Sequence, residues 1–274
     1  MSIIEEIKEN PSIVLKHLKE VNDVKYVYMT GSLLEGFGNE KSDIDIYVIC
    51  DIKDAKSKFE QQENSISIHL EDKIINNINF NGYRFDFEYW DIKKFVNLIS
   101  KLNNYDFTVE QFNSRFTDDE IDFLHRLKNA TPLVNSQEFK HLQNNINFKH
   151  LSGYQIIEYS ETFDNHIEDL EGAVLSKDFL TVYRLSLIIL EISINSYLST
   201  YNQTNPSKKW FLRKIKNYEE KNNHDELLSK YLNFNSYKFD QNTILDFMDS
   251  IIDFTTTLNK ESQYYLNKLQ RSGI

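Results

Sequence analysis

The sequence contains a single cysteine, Cys50, among its 274 residues. One thiol forms no intramolecular disulfide, and it excludes structural zinc sites built from three or four cysteines. Proline and glycine are also scarce, at 3 and 7 residues, which excludes collagen-like and loop-dominated chains. Basic residues are in the minority, with 31 Lys and Arg against 42 Asp and Glu. The resulting net charge of −11 disfavours tight binding to a nucleic-acid backbone.

Long apolar runs are missing as well. Residues 1–20 mix charges throughout, unlike a secretory signal peptide. The longest apolar stretch, around Leu185–Ile194, contains Glu191, and it falls short of the roughly 18 apolar residues that suggest a membrane-spanning helix. We therefore expect a cytoplasmic protein with no membrane partner.

The length favours two domains, because domains usually hold about 100–200 residues. Short strands and helices alternate up to residue 132, and the apolar spacing after it is helical throughout. The predicted strands cover residues 24–30, 43–50, 65–70 and 82–90. The predicted helices before residue 132 cover residues 3–20, 91–103 and 117–129, the last with a Thr117–Glu120 capping box. We predict an α+β fold, with a small mixed-sheet domain at residues 1–132 and an α-helical bundle at residues 133–274.

Three of the seven glycines follow the first predicted strand within eight residues, namely Gly31, Gly36 and Gly38. Asp43 and Asp45 open the next strand, and their spacing of two places both on one face. The two like charges repel each other, and a divalent cation between them would relieve the repulsion. Aspartate oxygens suit Mg²⁺, which usually takes further ligands from phosphates.

The Gly31-Ser32 step offers backbone N–H groups and a hydroxyl to a phosphate chain, and glycine allows the close approach. A third carboxylate would come from the strand at residues 82–90, where Asp86 and Glu88 share one face. This layout is typical of phosphoryl or nucleotidyl transfer assisted by two metal ions. The alternative is a solvated strand face or an inactive copy of such a site.

The segments Thr30-Gly-Ser32 and Ser42-Asp-Ile-Asp45 together resemble the signature of the DNA polymerase β-type nucleotidyltransferase superfamily. The two-part layout is most similar to the aminoglycoside and related antibiotic nucleotidyltransferases, which have a helical C-terminal domain. This resemblance implies that Gly31, Ser32 and Ser42 bind the nucleotide, and that Asp43 and Asp45 hold Mg²⁺.

The resemblance also implies that Asp86 is the third metal ligand, because in related chains an apolar strand end and then a helix follow that acid. Glu88 departs from the simplest pattern by adding a fourth acid. Both stay candidate catalytic residues, and the choice of third ligand between them is open.

A basic stretch from Lys208 to Lys221 follows Asn205-Pro206-Ser207, a typical helix start with Ser207 as N-cap. One interpretation is a solvated helix face. The other is that Lys208 or Lys209 binds the triphosphate and offsets its charge in an acidic chain. Similarly, the acids at positions 158, 161 and 164 share a helix face. They are either solvated or supply a general base and attract a cationic acceptor.

These observations predict a cytoplasmic enzyme with two Mg²⁺ ions that transfers a nucleoside monophosphate, AMP from ATP, to an acceptor hydroxyl and releases pyrophosphate. The acidic composition favours a small, cationic acceptor, such as an aminoglycoside-like antibiotic or a metabolite, and so a role in antibiotic resistance. Two alternatives remain. The chain is a toxin or regulator that modifies a protein or a tRNA end, or it is a non-catalytic nucleotide-binding protein.

Overall fold

A computed structural model describes residues 2–18, 21, 23–60, 67–108 and 115–272, without the side chains of residues 60 and 272. The chain divides into two compact units, each with its own core. The first unit comprises Met1–Asn104 and Phe116–Asn147, and the second comprises Tyr105–Arg115 and Phe148–Ile274.

One mixed sheet forms the centre of the first unit. Its strands in the described residues are β1 (Tyr26–Thr30), β2 (Ile44–Cys50), β3 (Ser67–His69), β4 (Lys73–Phe80), β5 (Tyr83–Asp91) and β6 (Thr131–Val134). They lie in the order β3-β4-β5-β2-β1-β6, with β2 and β5 parallel and the other described pairs antiparallel. The helices of this unit are α1 (Ile3–Glu9), α2 (Ser12–Leu15), α3 (Ile52–Glu60), α4 (Ile92–Asn103), α5 (Asp118–Lys128) and α6 (Ser136–Asn144).

The two faces of the sheet differ because side chains alternate along each strand. One face carries aliphatic residues such as Ile46 and Val48, which pack in a core with residues of α1, α2 and α3. The other face is aromatic. There Tyr28 stacks on Tyr47 with 5.4 Å between ring centroids, and Phe123 of α5 packs on Trp90 at 4.3 Å. The acids predicted on β2 and β5 share this aromatic face.

Several elements of the first unit differ from the sequence-based prediction. The predicted opening helix at 3–20 is two helices, α1 and α2, because the chain turns at Asn10 and restarts after Pro11. β4 was not predicted. β6 contains Pro132, which an edge strand tolerates because its outer N–H groups need no strand partner. The predicted domain boundary at residue 132 therefore falls within β6 of the first unit. By contrast, the capping box at Thr117 is confirmed.

The described elements of the second unit are helical. They are α7 (Phe148–Ser176), α8 (Phe179–Thr200), a 3-10 helix (Lys208–Trp210), α9 (Phe211–Asn222), α10 (Leu227–Asn235) and α11 (Ile244–Ser272). Residues from α7 to α11 share a core, to which α8 contributes Val182, Ile189 and Ile194, and Phe107, Ile156 and Leu266 form a smaller cluster. A mixed-sheet unit and a helical unit confirm the predicted α+β class.

Within the described residues, α8 is long and apolar enough to cross a membrane by length and composition alone. A helix at the centre of a folded unit meets the same criterion, because it buries apolar residues on several sides. Val182, Ile189, Leu190, Ile194 and Leu198 of α8 are completely buried against neighbouring helices. The core position of α8 accounts for its apolar composition.

Candidate active site

The two acid-bearing strands lie side by side in the sheet. β2 and β5 run parallel, with Asp45 opposite Asp86 and Tyr47 opposite Glu88. Neighbouring residues in register on adjacent strands point to the same face, so Asp45 and Asp86 form a pair of facing carboxylates. Asp43 lies just before β2. The sheet register therefore brings together residues separated by about 40 positions in the chain.

Arg84 on β5 connects Asp43 with Asp86. Its Nη2 donates to Oδ2 of Asp43, and also to Oδ2 of Asp86 at 3.3 Å. Its Nε donates to Oδ1 of Asp86 at 3.3 Å. The hydrogen bond to Asp86 and the surrounding carboxylates hold the pKa of Arg84 above its ordinary value. Sequence reasoning missed Arg84, although its position two residues before Asp86 places both on one strand face.

The Asp45 side chain is mostly buried, with 19% of it exposed, and its negative charge is incompletely compensated. Burial raises the pKa of Asp45 to about 6, while Arg126 of α5 acts in the opposite direction. Nη1 of Arg126 lies 3.1 Å from Oδ1 of Asp45, but this buried nitrogen lacks the geometry of a hydrogen bond. Nε of Arg126 donates instead to Asp122, at 2.6 Å. The ion pair with Arg126 therefore does not offset the whole cost of burying the Asp45 carboxylate.

The turn after β1 lies directly against Asp45. Gly31 has a φ of +94°, and a Cβ at this position would lie 2.8 Å from Cγ of Asp45 and overlap its Oδ2. Glycine therefore satisfies both the backbone conformation and the close approach. The carbonyl oxygen of Ser32 accepts from the N–H groups of Phe37 and Gly38 at 2.9 and 2.8 Å. In the described part of the chain, no backbone hydrogen bond uses the N–H of Ser32 or Leu33, so these donors can meet an anion.

A second set of contacts fixes this turn to α5. Nε2 of His125 lies 2.9 Å from Oε2 of Glu35, and both side chains are nearly buried. Oγ1 of Thr30 donates to the carbonyl oxygen of Arg126 at 2.8 Å. No local sequence pattern identifies His125, because its partner Glu35 lies 90 residues away in the chain.

Ser42 shapes the loop that leads into Asp43. Its Oγ accepts from the backbone N–H of Asn39 at 2.9 Å, and its own N–H donates to the carbonyl oxygen of Asn39 at 2.9 Å. These bonds set the position at which the chain enters β2. The predicted contact of Ser42 with nucleotide stays a prediction.

The structure distinguishes Glu88 from Asp86. Oε2 of Glu88 accepts from Nε1 of Trp90 at 3.1 Å, and the Trp90 ring has the ammonium groups of Lys73 and Lys94 at 5.0 and 4.9 Å from its centroid. Asp86 instead faces Asp45 and shares Arg84 with Asp43. The geometry thus groups Asp86, rather than Glu88, with the two acids of the sequence motif.

The basic residues predicted to contact the triphosphate belong to the second unit. Lys208 and Lys209 are exposed on the 3-10 helix, where the ammonium of Lys209 lies 5.0 Å from the Trp210 ring centroid. Ser207 precedes this helix but makes no side-chain capping bond. Lys214 is buried and donates to Asn195 and Asn205, which indicates a structural role. The nucleotide-binding role of Lys208 and Lys209 stays a prediction.

The three grouped aspartates have the donor chemistry that Mg²⁺ prefers, since they supply carboxylate oxygens from adjacent strands. Within the described residues, no three His, Cys, Asp or Glu side chains are placed as a ready-made metal-binding cluster. The guanidinium of Arg84 lies against oxygens of both Asp43 and Asp86. The carboxylate chemistry of these three aspartates fits a divalent cation.

Comparison with known proteins agrees with this geometry. Residues 12–143 match the family model described as a nucleotidyltransferase domain. Among solved structures, the fold is similar to that of a nucleotidyltransferase-like protein from Exiguobacterium sibiricum 255-15, with a TM-score of 0.50 over 97% of this chain and 80% of that chain. The two sequences are 8% identical, so this likeness concerns the fold alone. No curated protein matches the chain significantly.

Proposed function

We propose that residues 12–143, which match the family model of a nucleotidyltransferase domain, form such a domain of the DNA polymerase β-type superfamily, and that the enzyme transfers AMP from ATP to a hydroxyl group of a small acceptor. Pyrophosphate is the second product. The observation that carries the proposal is the pairing of Asp45 with Asp86 across parallel strands, beside Asp43 and against the Gly31 turn.

Asp43, Asp45 and Asp86 are the residues that would hold Mg²⁺. A metal held there would lower the pKa of the acceptor hydroxyl and would stabilise negative charge on the triphosphate. The N–H groups of Ser32 and the residue after it bind phosphate oxygens, since backbone donors at a glycine turn form an anion site. Holding the triphosphate and acceptor in line lowers the entropic part of the barrier.

A small cationic acceptor is the class that the composition supports best. The chain carries a net charge of −11, which attracts cations and repels polyanions over the whole surface. An aminoglycoside-like antibiotic combines amino groups with hydroxyls and meets both requirements. Under this proposal the enzyme acts in the cytoplasm, where ATP and Mg²⁺ are available, and Lys208 or Lys209 contributes to triphosphate binding.

Pyrophosphate release tests the proposal directly. The purified enzyme is incubated with Mg²⁺, each of the four ribonucleotides and a panel of aminoglycosides and other polyhydroxylated amines, and products are identified by mass spectrometry. We expect ATP-dependent pyrophosphate release together with an acceptor that gains one AMP. Asp43→Asn and Asp45→Asn should each lose this activity.

Three other results would replace the proposal. AMP found on a protein or a tRNA end would identify a macromolecular acceptor. Tight ATP binding without pyrophosphate release for any acceptor would indicate a nucleotide-binding protein. Wild-type turnover in Asp43→Asn or Asp45→Asn would contradict the assigned metal site.

A further inference from the structure

Arg84 lies where the proposed metal ligands meet. Its guanidinium donates to both carboxylate oxygens of Asp86 and to one oxygen of Asp43. We propose that Arg84 is a built-in counter-ion that competes with the divalent cation for Asp43 and Asp86 and makes metal binding depend on bound triphosphate. This inference rests on the proposed function, because it concerns how the same site is loaded.

The competition follows from the oxygens that are shared. A divalent cation bound by Asp86 needs at least one of the two oxygens that accept from Arg84, at about 2.0–2.1 Å for Mg²⁺. The guanidinium nitrogens lie 3.3 Å from these oxygens, and their positive charge repels a cation bound to the same oxygens. Arg84 and the metal are therefore alternative partners of Asp86.

Arg84 is able to leave Asp43 and Asp86, whereas Arg126, which pairs with Asp45 and Asp122, is held in place. The side chain of Arg84 is 49% exposed, and its ion pairs in the described residues are with Asp43 and Asp86. The side chain of Arg126 is 24% exposed, is paired with Asp122, and has its guanidinium 5.9 Å from the centroid of the Tyr47 ring. Displacement of Arg84 requires little unpacking, so it is the mobile partner of the two.

A triphosphate provides the displaced guanidinium with a new partner. Arginine binds phosphate oxygens through two parallel hydrogen bonds, which are among the stronger hydrogen bonds in proteins. Metal binding releases Arg84 from the carboxylates, and the phosphates accept it. By thermodynamic linkage, metal and nucleotide then raise each other's affinity by the same factor.

Three variants separate this competition from a general loss of charge. Arg84→Gln removes the competing cation and keeps some hydrogen-bonding capacity. Arg84→Lys keeps the charge without the planar fork. Arg115→Gln is the matched control, because Arg115 also pairs with two carboxylates and is similarly exposed, at 43%. Calorimetric titration with Mg²⁺ or Mn²⁺, alone and with a non-hydrolysable ATP analogue, gives the metal affinity of each protein.

Without nucleotide, we expect Arg84→Gln to bind the metal roughly ten- to hundred-fold more tightly than wild type, the range of one charge-assisted contact. The nucleotide should enhance metal affinity strongly in wild type and in Arg115→Gln, and much less in Arg84→Gln. Arg84→Lys should lie between wild type and Arg84→Gln. If Arg84→Gln does not fold, Arg84→Lys decides by the same criterion.

Equal metal affinity in wild type and the Arg84 variants without nucleotide would overturn the competition and leave the proposed function intact. A smaller affinity in Arg84→Gln would also overturn it. Failure of every protein to bind metal, even with the ATP analogue, would instead overturn the metal site of the proposed function and the competition with it.

Discussion

Arg84 in the first unit and Arg115 in the second each bind two carboxylates, yet their surroundings differ. Arg84 connects Asp43 and Asp86, which approach from neighbouring strands. Arg115 binds two acids of α7, Glu158 and Glu161, at 3.7 and 2.6 Å. The acids of α7 are three positions apart on one helix, so they share one of its faces. An arginine–carboxylate cluster is therefore common to both units and does not by itself identify a site.

The cluster around Arg84 differs from the cluster around Arg115 in the residues that surround it. Asp45 lies beside it with its pKa raised to about 6 by burial, and Gly31 approaches the Asp45 carboxylate too closely for any side chain. At Arg115 the partners are 35% and 47% exposed, and exposed ion pairs contribute little to stability. Sheet register and a glycine turn concentrate charge in the first unit. This supports the solvated interpretation of the α7 acids.

The strongest test of this comparison neutralises one acid in each cluster, Asp86 and Glu161, and also Glu88, which belongs to neither. Asp86→Asn should lower turnover about a thousandfold, since metal-bound charge stabilisation supplies several kcal/mol at the transition state. Glu161→Gln should leave turnover within about threefold of wild type, as expected for an exposed pair. Glu88→Gln should reduce it less than about tenfold, because Trp90 rather than the acid group of the motif contacts Glu88. Steady-state pyrophosphate release measures all three variants.

A larger loss in Glu88→Gln than in Asp86→Asn would reverse the choice of third ligand. A large loss in Glu161→Gln would make the α7 acids part of the chemistry and remove the distinction between the clusters.

Crowding at Gly31 is the next feature to test. Gly31→Ala should lower turnover at least about a hundredfold, because the added Cβ displaces Asp45 and misplaced catalytic groups are costly. It should also destabilise the fold by about 1–3 kcal/mol through backbone strain and the clash. Gly36→Ala is the control, with a φ of +74° and nothing within 4 Å of its Cβ. Chemical denaturation and turnover are measured on both variants.

Equal effects of the two substitutions would mean that backbone conformation alone explains the glycines. The close approach of Gly31 to Asp45 would then not contribute to turnover.

Variants of the basic residues in the second unit test whether one of them binds the triphosphate. Lys208→Ala or Lys209→Ala should weaken ATP binding with Mg²⁺ about ten- to hundred-fold, the value of one charge-assisted contact. Arg213→Ala and Lys216→Ala should have much smaller effects. Dissociation constants for the four variants provide the measurement. A uniform result would assign this stretch to ordinary helix surface and leave triphosphate binding to the first unit.

The smallest expected effect concerns stability and pH. Ionising a carboxyl whose pKa rises on folding costs stability, and the cost is complete above the folded-state value of about 6. It disappears below the ordinary value of 3.8. Asp45→Asn should therefore be more stable than wild type by about 1–3 kcal/mol at pH 7.5 with a metal chelator. The difference should shrink between pH 6 and 4 in urea denaturation, and a difference that grows as the pH falls would contradict the origin in burial.

Local patterns were sufficient to predict a large part of the fold. Strands β1, β2 and β5 alternate with period two or combine β-branched and aromatic residues, and these signals come from a few neighbouring positions. The Thr117 capping box is likewise a pattern of four residues. β4 escaped prediction because four of its eight residues are Lys or Asn, types that are depleted in strands. Its stability comes from pairing with β3 and β5.

In the candidate site, too, local patterns predicted some features, and others depend on contacts between distant segments. Periodicity determined that Asp43 and Asp45 share one face, and that Asp86 and Glu88 share another. It did not determine which acid of β5 faces Asp45, because a parallel register depends on how two distant segments are aligned.

The sequence by itself therefore determined the residue types of this protein's site and the strand faces that carry them, since alternation along a strand is a property of the local backbone. The tertiary structure alone decided that Asp86 lies opposite Asp45, that Arg84 meets Asp43 across 41 residues, and that His125 holds Glu35 across 90. The physical reason is that strand order and register arise from burying the whole sheet between its helices, and no short segment contains that information.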